Sequence, residues 1–510
     1  MKKILVVAFV FLIAVSLVAC SGTPAATEQP VAKEDLPPLE FTISMRDFNN
    51  PFVVGLPDIN KEPNKVKLEE LTNTKFDIRL IPNAQWVERM NVMFASGDIP
   101  DIVNAGSYLF GPELAGAIEN DVFLPLNDLL KKHGPNLLKV VPKAAWDAVT
   151  YNGKIYAIPD YLNNPNRRAM NVRMDLVKKA GLGTPRTLDE YVQVLRAFKS
   201  MGVEQPFVMR ANFKYSDTFF GAFDALPYQW EYYNGKVVPK FMAGNKGKEA
   251  VAFHRKLYEE GLIHKEFVTL TATDSTNAIL AGKGGMWSMN GSDFIGREKE
   301  VKGNVPGAEV AIIPSPTGPD GKGGHFIYDP SIMAFYFNAR TKVDVGRLIE
   351  FIDWQVTQEG KNFFTYGGDP AQYKAPANKK EEDEEGYRVG WLWMVKERDF
   401  NNPLAILREP SGPGLVKAFE NILSKEGRDS IKFMLPLKAL SANPDINPGV
   451  DTPPPIWMDG VARIIVGAAP IDYYDTIIQE WLKRGGQAAI DEATALYNSK
   501  SGQIYIPSGK

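Results

Sequence analysis

The chain has 510 residues, of which 44% are hydrophobic and 23% are charged, and its net charge is -3 at pH 7. This length exceeds what one small core needs, so we expect two or three domains, or two large lobes. The near balance of 58 basic and 61 acidic residues provides no field that would hold nucleic acid, and a single cysteine excludes an internal disulfide.

The first twenty residues differ from the rest of the chain. A positively charged start, MKK, precedes an apolar run too short to span a bilayer, which is typical of a secretory signal peptide. Leu17-Val18-Ala19-Cys20 resembles the lipobox of bacterial lipoproteins, whose cysteine carries a diacylglyceryl group after the signal peptide is cut. Two acyl chains suffice for stable attachment, so residues 1–20 predict an outward-facing protein anchored to the cell membrane. In the alternative, Cys20 is only a small apolar residue that ends the signal peptide.

Residues 21–40 are small, polar and proline-rich, which predicts a flexible tether. From residue 39 onward the patterns alternate between strand and helix, in the order LEFTISM, KVKLEELT, FDIRLIP, QWVERMNVMFASG and DIPDIVNAG. This order predicts an α/β fold with a mainly parallel sheet that helices cover on both faces. From PPPIWMDGVARIIVGAAP to the end, apolar residues recur at three and four spacing, which predicts helices.

Two short sequences occur twice. YNGK occurs at 151–154 and 233–236, and Asn-Gly supplies the positive φ angles of a tight hairpin turn. RDFNNP occurs at 46–51 and 398–403. The first copy follows a predicted strand, where ligands gather in open α/β sheets, so Arg46 and Asp47 are candidate ligand-binding residues. In the alternative, both copies are turns that Asn before Pro favours.

The sequence offers little for catalysis or metal binding. The four histidines, at 133, 254, 264 and 325, lack zinc-site spacing, and neither a nucleophile elbow nor a phosphate-binding loop is present. Carboxylate pairs such as Asp98 and Asp101 are more typical of turns and caps. We therefore expect a binding protein rather than an enzyme, with no cofactor and no metal.

Four tryptophans stand in surroundings that suit a ligand-binding role. Trp287 lies among glycines and small polar residues, Trp457 follows a proline-rich turn and opens a helix, and Trp391 and Trp393 share a face if they lie on a strand. An aromatic plane covers the apolar C–H face of a sugar ring while polar groups bind its hydroxyls. In the alternative, each of these tryptophans belongs to the core or an interface.

Three segments, AWDAVTYNGKIYAIPD (145–160), YEEGLIHKEF (258–267) and AILAGKGGMWSMNG (278–291), look like the extracellular solute-binding proteins of family 1. These are sugar receptors of ABC importers. The order of segments is similar to maltose-binding protein, and the size and tether resemble the longer, LipO-like oligosaccharide-binding lipoproteins. The resemblance implies a two-lobed periplasmic-binding-protein fold of type II, with a ligand cleft between two α/β lobes. Lobe 1 would contain 41–159 and 314–369, and lobe 2 would contain 160–313 and 370–510.

The resemblance also implies site residues. Trp287 and Trp457 match family positions that stack on sugar, Gln205 and Phe207 match a polar-aromatic pair of the cleft, and Tyr161 lies at an expected lobe crossing. Phe207 lacks the hydroxyl of a tyrosine there. Many long members carry a calcium loop where this chain reads KSMGVEQPF, which offers too few oxygen ligands, so no calcium site is expected.

The resemblance therefore implies a monomeric lipoprotein that captures an oligosaccharide and delivers it to the membrane subunits of an ABC permease. A peptide receptor is one alternative, and a secreted glycosidase or lyase is another. Arg46 and Arg210 suit an acidic saccharide, but each is also consistent with a surface or salt-bridged arginine.

Overall fold

The computed structural model describes residues 36–48, 50–111, 113–114, 116–162, 166–367, 389–396, 410–499 and 504–506. Cys20, the signal peptide, most of the tether and the second RDFNNP copy lie outside the described residues. The strands are β1 (Leu39–Arg46), β2 (Thr74–Ile81), β3 (Ile102–Gly106), β4 (Thr150–Tyr151), β5 (Lys154–Ile155), β6 (Ala157–Pro159), β7 (Arg168–Arg173), β8 (Gln205–Phe207), β9 (Trp230–Tyr233), β10 (Lys236–Pro239), β11 (Gly284–Asn290), β12 (Val310–Ile313), β13 (Met333–Phe337), β14 (Lys432–Phe433) and β15 (Ile504–Tyr505).

Helices surround these strands. They are α1 (Pro51–Gly55), α2 (Pro63–Thr72), α3 (Trp86–Ser96), α4 (Asn127–His133), α5 (Pro135–Val140), α6 (Lys143–Ala148), α7 (Met174–Lys179), α8 (Leu188–Ser200), α9 (Asp217–Ala222), α10 (Lys246–Glu259), α11 (Ala272–Leu280), α12 (Phe294–Asn304), α13 (Val345–Trp354), α14 (Gln358–Tyr366), α15 (Gly412–Asn421), α16 (Lys438–Ser441), α17 (Pro455–Ile465), α18 (Tyr473–Trp481) and α19 (Gln487–Asn498). The last three confirm the helical prediction for the C-terminal region.

The first sheet has the order β2-β1-β3-β13-β6. Strand β1 runs parallel to β2 and β3, as the alternating patterns predict, whereas β13 runs antiparallel to both β3 and β6. Alternate residues of β1 and β2, such as Phe41, Phe76 and Ile78, are buried in the first hydrophobic core. Period-two burial therefore fixes which faces of these strands meet the helices.

The second sheet has the order β12-β7-β11-β8. Here β11 and β12 both run antiparallel to β7, and only the β11–β8 pair is parallel. The sheet is thus mixed, which corrects the expectation of a mainly parallel sheet in this lobe. Strand β7, which follows the passage from the first lobe, is antiparallel to both of its neighbours, β11 and β12. Two further cores, one around Phe207 and Trp457 and one around Trp287, lie against this sheet.

Both YNGK segments form the predicted hairpin turns. They connect β4 to β5 and β9 to β10 in antiparallel pairs. Asn152 and Gly153 have φ angles of 48° and 76°, and Asn234 and Gly235 have 48° and 82°. Positive φ at both central residues is what a type I′ turn requires, so the dipeptide determines the turn locally.

The residues from Leu39 onward form one compact unit, in which the chain passes between the two sheets. One passage leads from β6 to β7 and another from β12 to β13. They are hydrogen-bonded where Leu162 N donates to Pro330 O at 2.8 Å, and the Asp160 carboxylate accepts from Ile332 N at 2.9 Å.

One segment packs in a different core from the one that the sequence predicted. Residues 370–510 were expected in lobe 2, but Val389, Leu392, Trp393, Met394 and Val395 pack in the first core. They form a turn, in which Leu392 N donates to Val389 O, and not the strand considered for Trp391 and Trp393.

Candidate functional site

The two sheets each present one set of strand ends to the passages between the lobes. In the first sheet, β1, β2, β3 and β6 end where β13 begins, and we call this the first edge. In the second sheet, β8, β11 and β12 end where β7 begins, and we call this the second edge. Both passages run from one edge to the other, so the edges border the same region. Ligands of open α/β sheets bind at such carboxyl ends.

Arg46 is the main polar side chain of the first edge. Its Nε donates to Asn83 Oδ1 at 2.7 Å, and its guanidinium lies 5.1 Å from the ring centres of both Phe48 and Trp86. Asp47 Oδ1 accepts from Asn83 N at 3.0 Å. The contacts hold the guanidinium between two aromatic rings, a cation–π arrangement that fixes its orientation.

A groove of about 830 Å³ opens beside Arg46 along helix α3. The groove combines amide and charged groups with apolar ones, and its lining residues are Arg46, Asn83, Ala84, Gln85, Trp86, Val87, Glu88, Asn91, Val92 and Ala95. Apolar surface next to hydrogen-bonding groups suits a ligand with both kinds of face. Of these residues, the sequence identified Arg46 as a candidate.

Phe48 is an unusual residue at this edge. It has a φ of 52°, which bulky side chains rarely adopt, and 47% of its surface is exposed. Strained backbone of this kind clusters at binding sites. Asn-Pro after Phe48 marked a turn in the sequence, but nothing there predicted an aromatic side chain held outward.

Tyr108 and Glu113 follow β3 and were not identified from the sequence. Burial raises the pKa of the Glu113 carboxyl, while the positive charge of Arg46 opposes that rise. Burial also raises the pKa of Tyr108, as do the negative charges of Asp329 and Glu113. Asp329 belongs to the passage between β12 and β13, so Tyr108 lies within electrostatic reach of the connection to the second lobe.

Arg168 is the centre of the second edge. Its side chain is 0% exposed, and its guanidinium donates to Asp217 Oδ1 at 2.7 Å, to Asp451 Oδ2 at 2.8 Å and to the Tyr328 hydroxyl. Tyr328 in turn donates to Asn290 Oδ1 at 3.3 Å. These five residues come from five separate parts of the chain. Burial disfavours the charge of Arg168, but its carboxylate partners prevail and raise its pKa.

Arg210, a predicted candidate, also lies at the second edge. It follows β8 and is half-buried, with its guanidinium 5.2 Å from the ring centre of Tyr215. Arg168 lies over the same ring at 4.3 Å. The structure thus brings Arg210 to the buried network, and it brings Arg46 and Asp47 to the opposite edge.

Two predicted tryptophans lie in the cores. Trp287 is 2% exposed within β11, and its Nε1 donates to Met289 Sδ at 3.3 Å. Trp457 is 0% exposed, 5.6 Å from Phe213 and 5.4 Å from Phe220 between ring centres. Neither ring presents a free face in this structure, so both match the core interpretation that the sequence left open.

The remaining candidates also lie away from the two edges or below their surface. Gln205 begins β8, at the opposite end of the second sheet, and Phe207 is fully buried 4.9 Å from Phe219. Trp393 stacks on Phe364 at 5.3 Å, and Trp391 is partly buried against the first core. Tyr161 is buried at the passage between the lobes, where its N–H donates to Lys396 O.

Within the described ranges, no group of three or more histidine, cysteine, aspartate or glutamate side chains is placed to hold a metal ion. The helices described there include none long and apolar enough to cross a membrane.

Comparison with known proteins agrees with this architecture. A model of the family "Bacterial extracellular solute-binding protein" matches residues 59–362. The polygalacturonan/rhamnogalacturonan-binding protein YtcQ of Bacillus subtilis is 26% identical over 84% of this chain and 86% of its own. Lipoprotein LipO of the same organism is 24% identical over 86% of this chain and 89% of its own.

Solved structures share the fold. The substrate-binding protein FusA of Streptococcus pneumoniae, in complex with kestose, superposes with a TM-score of 0.63 at 19% identity, over 91% of this chain and 99% of its own. The two-lobed α/β fold expected from the sequence is thereby confirmed. This chain belongs to the bacterial extracellular solute-binding protein family.

Proposed function

We propose that this protein is a membrane-anchored lipoprotein that binds an oligosaccharide between its lobes and delivers it to an ABC permease. One observation carries the proposal. The first and second edges, each rich in polar and aromatic side chains, border the same region between the lobes. One edge offers a groove with amide, guanidinium and aromatic groups, and the other offers a charged network. Such a combination suits the hydroxyls and C–H faces of sugar rings.

The relatives support a carbohydrate ligand. The names of YtcQ and of the FusA structure refer to polygalacturonan, rhamnogalacturonan and kestose, all of them polymers or oligomers of sugars. The name of LipO refers to a lipoprotein, in keeping with the lipobox-like sequence at Cys20. Delivery needs no covalent step, because a ligand that contacts both edges favours the closed form, and a permease that favours the open form releases it.

The binding half of the proposal is tested by calorimetric titration of a form that begins after Cys20 with neutral and acidic oligosaccharides. We expect saturable binding, weakened about tenfold by Phe48→Ala, because the exposed ring at the first edge is lost. Tyr232→Ala is the matched control, since Tyr232 is an exposed aromatic on the β9–β10 hairpin. Absence of binding to every oligosaccharide by a folded protein would contradict the proposal.

The anchoring half is tested by mass spectrometry of the mature N-terminus from membranes. We expect a diacylglyceryl-modified Cys20, and release of the protein into the medium by Cys20→Ser. An unmodified terminus at Ser21 or later would show that the protein is secreted without this anchor.

A further inference from the structure

Three basic side chains gather around Tyr215 at the second edge. Three cations lie over its ring, with Arg168, Arg210 and Lys214 at 4.3, 5.2 and 5.7 Å from the ring centre. Two carboxylates, Asp217 and Asp451, accompany them. The negative charge of Asp293 also reaches the Tyr215 ring, so the difference among the three cations lies in their bonded partners. Arg168 and Lys214 each donate to a carboxylate, and Arg210 does not do so among the residues that the structure describes.

The carboxylates are fully engaged with other partners. Asp451 accepts from Arg168 through Oδ2 and from Lys214 through Oδ1. Asp217 accepts from Arg168 through Oδ1 and from the backbone N–H of Phe326 through Oδ2 at 3.3 Å. Among the residues that the structure describes, Arg210 has neither a hydrogen bond nor a salt bridge, and its close contact is with the Tyr215 ring.

A half-buried guanidinium without a hydrogen-bonded anion is costly, because burial removes water from its N–H groups and no protein acceptor replaces that water. Burial lowers the pKa of Arg210, yet arginine keeps its charge in proteins. A ligand carboxylate offers two oxygens in the geometry that a guanidinium binds bidentately, so it would supply the hydrogen-bond acceptors that Arg210 lacks among the described residues.

The loop after Arg210 is held in a strained conformation. Asn212, Phe213 and Tyr215 have φ angles of 61°, 53° and 61°, in the left-handed region that bulky residues avoid. Phe213 is fixed by contacts with Trp457 and with Phe267, at 5.6 and 5.8 Å between ring centres. Such strain persists only where the surroundings enforce it, and it is typical of binding sites because it sets side chains in place before the ligand arrives.

The first edge differs, since the Nε of Arg46 donates a hydrogen bond to Asn83 Oδ1. We therefore propose that Arg210 binds a carboxylate of the ligand, so that the substrates are uronic-acid oligosaccharides whose charged ring lies at the second edge. This inference rests on the proposed function and specifies its substrate class. Uncharged rings of the same ligand then occupy the groove beside Arg46.

The test is a calorimetric comparison of a panel of uronic-acid trisaccharides, their methyl esters and neutral trisaccharides. Esterification removes the charge and keeps the rings, so we expect affinity to fall about 10- to 100-fold for the ester of the preferred acid, the range of a hydrogen-bonded charge pair. Arg210→Gln should produce a similar loss for the acid and little further loss for its ester. Arg210→Lys keeps the charge and should retain part of the affinity.

Arg196→Gln is the matched control, because it removes one positive charge from the exposed face of α8, where Arg196 pairs with Glu260. It should leave affinity unchanged. Equal binding of acid, ester and neutral sugars, with no effect of Arg210→Gln, would overturn this inference and leave the sugar-binding function intact. If no saccharide of any class binds to the folded protein, both the inference and the proposed function fail.

Discussion

The two strand edges that border the passages between the lobes are built differently. At the first edge, Arg46 is partly exposed, lies between two aromatic rings and opens onto a groove. At the second edge, Arg168 is fully buried among carboxylates and tyrosines. The comparison indicates that arginine has a different role at each edge. The buried Arg168 links distant segments of the chain, whereas the partly exposed Arg46 is a ligand contact in the function that we propose.

The sharpest test of this comparison removes each arginine in turn. Arg168→Met leaves Asp217 and Asp451 buried without their shared cation, so we expect the free energy of unfolding to fall by about 3–5 kcal/mol. Arg46→Met should cost less than about 1 kcal/mol, because water reaches that site. Denaturant unfolding of both variants measures the difference. Equal losses would show that burial does not distinguish the two edges.

A second test concerns the passage next to the second edge. The Glu426 carboxylate accepts from Ser315 N at 3.0 Å, and burial raises the pKa of Glu426 to about 7 from an ordinary value of 4.5. The folded form therefore binds a proton that the unfolded form has released, so this residue's contribution to stability is full below pH 4.5 and is lost as the pH rises to about 7.

The expected decline from this residue is about 3 kcal/mol, at the lower end of the range for Arg168→Met. Glu426→Gln should remove it while keeping an acceptor for Ser315 N. The measurement is the difference in unfolding free energy between wild type and variant from pH 4 to pH 8. The subtraction is needed because two buried histidines have the opposite pH dependence. Burial lowers the pKa of His254 and of His325 to about 4, so their contribution to the free energy of unfolding falls as the pH drops below 6.5. A difference that does not vary with pH would contradict the assignment.

The smallest effect concerns the strained aromatics found at both edges, Phe48 and Tyr215. Phe48→Gly should change the free energy of unfolding by less than about 0.5 kcal/mol, because relief of the positive φ is offset by loss of the cation–π contact with Arg46. Tyr215→Gly should instead lower it by about 1 kcal/mol, since three cations lose the ring between them. Thermal unfolding of both variants measures these changes in the free energy of unfolding. It tests whether the positive φ of Phe48 contributes to stability. Destabilisation by Phe48→Gly would mean that the residue serves packing.

Features that depend on neighbours in sequence were predictable. The Asn-Gly dipeptides gave both hairpins, because the turn needs only two residues that tolerate positive φ. The alternation in LEFTISM predicted β1 and placed Arg46 at a strand end, where the groove lies. The residues of the candidate site were harder to predict. A tryptophan among glycines has the same local sequence whether its ring faces a ligand or packs in a core. Trp457 contacts Phe213, Phe220 and Tyr474. These contacts could not be predicted, because the residues are not adjacent to Trp457 in the sequence.

The α/β alternation, the hairpin turns and the C-terminal helices were predictable because they follow from local periodicity and backbone preference. The lipobox-like start was visible because it is a contiguous motif. Only the tertiary structure decided that the second sheet is mixed, that Trp287 and Trp457 are buried, and that Arg168 meets Asp217 and Asp451. It also decided that Arg210 donates a hydrogen bond to no carboxylate among the residues the structure describes. The physical reason is that burial and charge pairing depend on residues separated by as many as 283 positions, and only folding brings them into contact.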